Sequence, residues 1–415
     1  MPIQLGFGGA LVTMLPIEEP LPKPILLKPA TWPFLALGFR PLFWLSATWA
    51  VISMLIWAGV LSGILSWQSQ VPATLWHAHE MLFGFASAVA IGFLFTASKN
   101  WTGIPTINGV QLLLLSSLWV AARLIFVLSD TPYIWLAICQ GLFWLLSITH
   151  LVNTLVQAKS KNNYQFIVIL SLMASVNLTF IWLIATHNYL FALTLSHIGV
   201  LGFTFLISII AGRVIPFFIA RGLNLQSQTT TPLLNLALFW SALIGLIGFF
   251  AHHVFNSALN PGYLLIVTGT LHIARSVYWC KLAIWQVPLL WSLYIAYCLM
   301  GIGLVGFGGA YLDFAWQAKD ALHLITIGAM GLMILSIMSR VSLGHTARPL
   351  KAHPLLSIAF ALCFLSALLR SLLPLFINPH DAWLASAILW SGAFTIFVAI
   401  YTPILMKQRL DGRRG

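Results

Sequence analysis

The sequence predicts an all-α fold, a polytopic membrane bundle of twelve transmembrane helices. Three observations lead there. First, 60% of the 415 residues are hydrophobic and only 7% are charged, where an ordinary soluble domain carries about 25% charge. Second, the mean hydropathy is +0.95, so too little polar surface is left to cover a globule in water. Third, apolar stretches long enough to cross a bilayer, about 20 residues each, recur along the whole chain between short polar turns.

In order, these stretches are 42–65, 77–98, 108–128, 132–157, 165–187, 190–212, 232–256, 262–283, 288–311, 321–341, 354–376 and 381–406. Residues 1–41 read as an N-terminal tail, 42–406 as a single transmembrane domain, and 407–415 as a C-terminal tail. Short connections imply antiparallel neighbours. The longest connection, 213–231, ends in the polar run Gln226 to Thr231. The first 30 residues carry Glu18, Glu19 and six prolines with no basic start, which is not the pattern of a cleavable signal peptide.

Charge placement orients the bundle. The two tails and the even-numbered loops hold 16 of the 20 Lys and Arg residues: Lys23, Lys28, Arg40, Lys99, Lys159, Lys161, Arg213, Arg221, Lys281, Arg340, Arg348, Lys351, Lys407, Arg409, Arg413 and Arg414. The odd-numbered loops hold Asp130, Asp313, Asp320 and Asp381, with Lys319 their one basic residue. The excess of basic residues is expected in the cytoplasm, and both termini with it. The net charge of +12 is spread between apolar spans, with no basic run interleaved with aromatics, so nucleic acid is not expected as a partner. Cys139, Cys280, Cys298 and Cys363 form no CxxC pair and read as packing residues.

With this orientation, seven of the twelve histidines fall in the outer half of the bundle. His77 and His79 open the second span and His323 opens the tenth. His252 and His253 close the seventh. His197 lies roughly 10 Å into the sixth span and His272 roughly 15 Å into the eighth, by helical rise. Ionisable residues at such depth are costly and point to function. Imidazoles suit iron, copper and zinc. Glu80 is the one carboxylate near the cluster, which argues against calcium, magnesium or a carboxylate-bridged di-iron centre. Haem or copper on several imidazoles is the expectation. On a regular helix His77 and His79 point about 200° apart, so they serve two centres, or one ligates and the other orients. Glu80, three residues after His77, is a candidate acceptor for its ring proton. Arg275 shares a helical face with His272 and is a candidate partner for a haem propionate. Arg123 and Arg370 read as snorkelling residues, His150 as a packing residue, and His345 as lying in a cytoplasmic loop.

Two stretches are specific beyond composition. One is Trp76-His77-Ala78-His79-Glu80-Met81-Leu82-Phe83-Gly84-Phe85 with Asn100-Trp101-Thr102-Gly103 after it. The other runs from His323 to Met333 and on through Met338-Ser339-Arg340-Val341-Ser342-Leu343-Gly344-His345-Thr346 to Arg348-Pro349. With Gly38-Phe39-Arg40-Pro41 and Arg213-Val214-Ile215-Pro216-Phe217-Phe218, they resemble the NnrS family along nearly the whole chain. Ala347 stands where that pattern has glycine. The resemblance implies a bacterial inner-membrane protein containing haem (of b type) and copper, linked to nitric oxide stress and denitrification. It would bind nitric oxide and reduce or otherwise detoxify it, drawing electrons from a quinol or a cytochrome.

The depths also resemble those of haem-copper oxidases and nitric oxide reductases, whose haem ligands lie on the second and tenth of twelve helices. On that analogy His77 or His79 joins His323 on iron, and His197 joins His272, with His252 or His253, on copper. The sixth span reads Ser196-His197-Ile198-Gly199, without the His-Pro-Glu of oxidases. Spacings of 120 residues from His77 to His197 and 126 to His323 predict three four-helix units. The competing class is a transporter or sensor regulated by haem, which needs a polar route through both halves of the membrane.

Overall fold

The computed structural model describes residues 28–131 and 133–413; the expectations resting on Glu18, Glu19, Lys23, the prolines before Lys28 and Arg414 lie outside them. Twelve long helices are present among the described residues: α1 (Phe39–Leu61), α2 (Ala73–Thr102), α3 (Gly109–Leu128), α4 (Tyr133–Gln157), α5 (Tyr164–Ala185), α6 (Tyr189–Gly222), α7 (Pro232–Phe255), α8 (Pro261–Trp279), α9 (Pro288–Ala310), α10 (Ala318–His345), α11 (Pro354–Ser371) and α12 (Pro379–Met406). Eleven are long and apolar enough to cross a membrane on those criteria alone. The other, α8, has 19 residues, about 28 Å of helix. It is less apolar because His272, Arg275, Thr268 and Ser276 lie on it, and all four are buried inside the bundle.

The helices pack as three runs of neighbours: α11–α12–α1–α2, α3–α4–α5–α6 and α7–α8–α9–α10. Each run ends in a central helix, and α2, α6 and α10 are among the most enclosed elements. This three-by-four grouping matches the unit implied by the histidine spacings. Both described ends sit together with the basic loops. Arg40 Nη1 donates to Leu405 O and Lys407 O at 2.9 and 2.7 Å, and Arg409 Nη1 donates to His345 O. The opposite end carries His77, His323 and the His252–His253 pair.

Several boundaries differ from the expected ones. Helix α6 runs to Gly222 through Pro216, so Arg213 is helical and not in a loop; it donates to Asn163 Oδ1 and Asn162 O. Helix α10 continues to His345, which ends the helix and packs on Phe39. The tail gives way to α1 at Phe39, after 3₁₀ turns at Pro29–Thr31 and Pro33–Leu35. Ala347 adopts φ +58°, a left-handed conformation that favours glycine, which accounts physically for the glycine of the resembled pattern.

Both motif helices contain a π segment immediately after a histidine region: Glu80–Ala86 in α2 and Leu324–Gly331 in α10. A π register releases backbone carbonyls from the α ladder, a feature common at functional sites. In α2 those carbonyls find side-chain donors. Phe85 O accepts from Ser46 and Gly84 O from Trp119 Nε1, at 2.8 and 3.0 Å. Helices α8 and α9 are brought together by glycines. A Cβ at Gly262 would stand 2.5 Å from Gly308 O, and one at Gly269 would stand 2.6 Å from Gly301 O.

Candidate functional site

His77 and His79 both lie in the regular α-helical opening of α2, Ala73–His79, and therefore diverge. His77 faces α1, stacked on Trp57 with ring centroids 4.6 Å apart and planes 15° off parallel. Its Nδ1 is buried without a hydrogen-bond partner. His323 opens the π segment of α10. Its Nδ1 bonds Lys319 O at 2.6 Å, and since a carbonyl only accepts, Nδ1 carries the hydrogen. That leaves Nε2 as the free lone pair, the tautomer a metal-ligating imidazole needs. His323 lies within electrostatic range of His77, His197 and Arg370, so the outer ends of the three central helices converge there. Arg370 is no snorkeller: it pairs with buried Asp320 and stands over the Trp383 ring. Lys319 covers the same ring, 4.9 Å from its centroid, and Trp383 Nε1 is a buried donor with no partner.

His79 is in a different place. It is fully buried among Phe83, Phe126 and Phe180, and both its nitrogens are engaged. Trp144 Nε1 donates to Asn177 Oδ1 at 2.9 Å. The Asn177 amide therefore presents its NH2 to His79 Nε2, 2.9 Å away. His79 Nδ1 then donates to Glu80 Oε1 at 2.8 Å. Glu80 thus orients His79 and not His77, whose ring is taken up by its stack on Trp57 of α1 instead. Its second oxygen accepts from Trp49 Nε1 at 2.7 Å and lies 2.8 Å from Arg123 Nε. Arg123 is buried in this pair, contrary to the snorkelling expectation, and its Nη2 has no partner.

The expected copper ligands are not gathered at one point. His197 packs against Phe307 within range of His253. His253 Nε2 meets Tyr311 Oη at 3.0 Å, and His252 Nδ1 meets Ser257 O at 3.0 Å. His272 sits one to two helical turns deeper, in a cavity of about 20 Å³ beside Leu201, Thr204 and Phe205 of α6. The rise estimate puts it about 5 Å deeper than His197, and the structure places it beside α6 residues four to eight positions further along that helix. Among the described residues no three His, Cys, Asp or Glu side chains are grouped to hold a metal ion.

His272 belongs to a hydrogen-bonded string that the sequence did not reveal. Its Nδ1 is 2.6 Å from Tyr297 Oη, which accepts from Arg275 Nε. Arg275 also donates to Asn235 Oδ1 at 2.8 Å and Ser208 O at 3.3 Å. The guanidinium is consumed by the protein, so Arg275 is not free for a propionate. A tyrosine hydroxyl holds one hydrogen, and here its described acceptor is His272 Nδ1. His272 Nε2 therefore carries the ring hydrogen, points to no partner, and is a donor in place of a metal ligand. His150 is structural, with its Nε2 accepting from Ile107 N at 2.8 Å.

Tyr297, Asn177 and Asn235 escaped sequence reasoning because nothing in their own helices shows which side chains of neighbouring helices lie opposite them. No curated protein matches the chain. The model of the family described as NnrS protein matches residues 33–409, a stretch that takes in all twelve helices and each of the histidines above, and this chain is a multi-pass membrane protein of the NnrS family.

Proposed function

We propose that the chain binds haem at the meeting point of α2 and α10 and there handles nitric oxide, reducing or otherwise detoxifying it in the bacterial inner membrane. The observation that carries this reading is His323, whose Nδ1–H is tied to a backbone carbonyl while Nε2 stays free. His323 and His77 would hold the iron, and His79, with both nitrogens occupied, would not. A haem there would supply an iron that binds nitric oxide. Its carboxylates have fitting neighbours in Lys319, Arg370 and the unpartnered Trp383 Nε1–H. His77 is held flat by Trp57, which fixes its direction. Removing the rings should therefore remove the haem: His323→Ala, purified from cells supplied with haem, should lose the Soret band. A full haem content with an unchanged spectrum would refute the assignment.

For copper the fit is different. His197 and His253 stay within range of one another, but His272 is turned into a donor by Tyr297, so the His197–His272 pair does not suit a cuprous ion. Two electrons and two protons are needed per pair of nitric oxide molecules reduced, and a quinol or cytochrome would supply the electrons.

Orientation is part of the proposal. The basic end, where both described ends meet, would face the cytoplasm, and the histidine end would face the periplasm. The alternative, a haem-regulated transporter or sensor, draws on the string Asn235–Arg275–Tyr297–His272, which enters the bundle from the basic end. It stops at the small cavity beside His272, and the central axis beyond it is lined by apolar side chains, which is no route for an ion.

A further inference from the structure

A cavity of about 50 Å³ lies on the central axis between α2, α6 and α10. All of its lining residues are apolar, with Ala86 and Ala90 from α2, Phe203 and Ala211 from α6, and Met330 and Met333 from α10 among them. The space exists because alanine stands at 86, 90 and 211 where a larger aliphatic would fill it. A water needs roughly 10–15 Å³ and two to four polar partners; the volume is present and the partners are not. An ion would be left without compensation in such walls. The occupant these walls accept is a small, neutral, apolar molecule.

Its position gives it a purpose. Ala86, Phe203 and Met330 follow His77, His197 and His323 by nine, six and seven residues on helices that run in the same direction. The chamber therefore lies directly inward of the histidine cluster, on the order of 10 Å away by helical rise. We propose that it is a docking chamber for a diatomic gas, holding nitric oxide drawn from the bilayer beside the centre that consumes it. The choice of nitric oxide rests on the preceding reading; the gas-binding property of the chamber does not.

The test has two arms. Xenon binding to the purified full-length protein, read by ¹²⁹Xe exchange spectroscopy, needs no haem. The wild type should show a site that Ala211→Leu or Ala90→Leu abolishes and that Ile207→Ala, which enlarges the chamber, strengthens. No xenon site, or one indifferent to all three changes, overturns the chamber. In the haem-loaded protein, the filled variants should slow nitric oxide association after flash photolysis, with dissociation rate and haem content unchanged. Unaltered association in a variant that has lost xenon overturns the substrate role. A protein that takes up no haem would sink the preceding reading, while the xenon arm would still decide the chamber.

Discussion

Breaking the Glu80–Arg123 pair should cost more than any other single charge change in this chain. Both side chains are essentially inaccessible, 0% and 2% exposed, in a helix pair far from water. Arg123→Met leaves the Glu80 carboxylate buried with only neutral donors, Trp49 Nε1 and His79 Nδ1. An uncompensated buried charge of this kind costs about 3–5 kcal/mol. Glu80→Gln/Arg123→Met removes both charges and should recover most of that loss. Recovery stays incomplete for a geometric reason. Trp144 fixes Asn177, Asn177 fixes His79, and both His79 Nδ1 and Trp49 Nε1 arrive at residue 80 as donors. A glutamine has one oxygen for the two, so one donor faces its NH2, a residual penalty of about 1–3 kcal/mol. Denaturation in mixed micelles, followed by tryptophan fluorescence on all four members of the cycle, measures the coupling. A double variant as unstable as the sum of the single changes would refute the argument, since it would show that the charges do not compensate one another.

Further outcomes follow from the same geometry. Gly269→Ala should destabilise by about 1–3 kcal/mol through overpacking, since its Cβ would meet Gly301 O at 2.6 Å and Val305 N at 2.8 Å, both backbone; an unchanged melting temperature would refute that closeness. Ala347→Gly should stabilise by up to about 1 kcal/mol by relieving a left-handed φ, read as a rise in the same melting temperature. His79→Ala should retain haem where His323→Ala loses it, by pyridine haemochrome content. Fusions after residue 413 should be fluorescent with a green fluorescent protein and inactive with alkaline phosphatase; an active phosphatase would invert the orientation.

The span count and the divergence of His77 from His79 were legible because both are consequences of helical period and apolar length. The charge asymmetry was legible for the same reason, since basic residues accumulate at one end of each pair of spans. The pairing of buried groups was not. Arg123 looked like a snorkelling residue, because nothing in α3 alone shows that Glu80 of α2 is opposite. His197 and His272 looked able to share one ion because depth was counted from each helix start, while the hydrogen bond from Tyr297 that claims His272 is a property of packing. The end of α6 was misplaced because Arg213 and Pro216 look like a terminus, whereas the guanidinium is held by Asn162 and Asn163 and the helix continues.

The three-by-four architecture gives these separate findings a common sense. Each run contributes an arginine that lies near a histidine: Arg370 of α11 near His323 and His77, Arg123 of α3 with His79 through Glu80, and Arg275 of α8 with His272 through Tyr297. The arginines differ in what remains free around them. Arg123 lies against a histidine with both nitrogens occupied, and Arg275 is bound on three sides and fixes a histidine as a donor. Arg370 alone of the three stands beside an imidazole whose Nε2 lone pair is free, with Lys319 and Trp383 Nε1 next to it. Tyr297→Phe tests the reasoning from the other side. Without the hydroxyl, His272 is no longer held as an Nε2–H donor, and the tautomer with a free Nε2 becomes accessible. The variant should gain affinity for cuprous ion at His272, read as one added equivalent by elemental analysis, and that gain should vanish in Tyr297→Phe/His272→Ala. Equal copper in wild type and Tyr297→Phe would show that the hydroxyl does not set the tautomer.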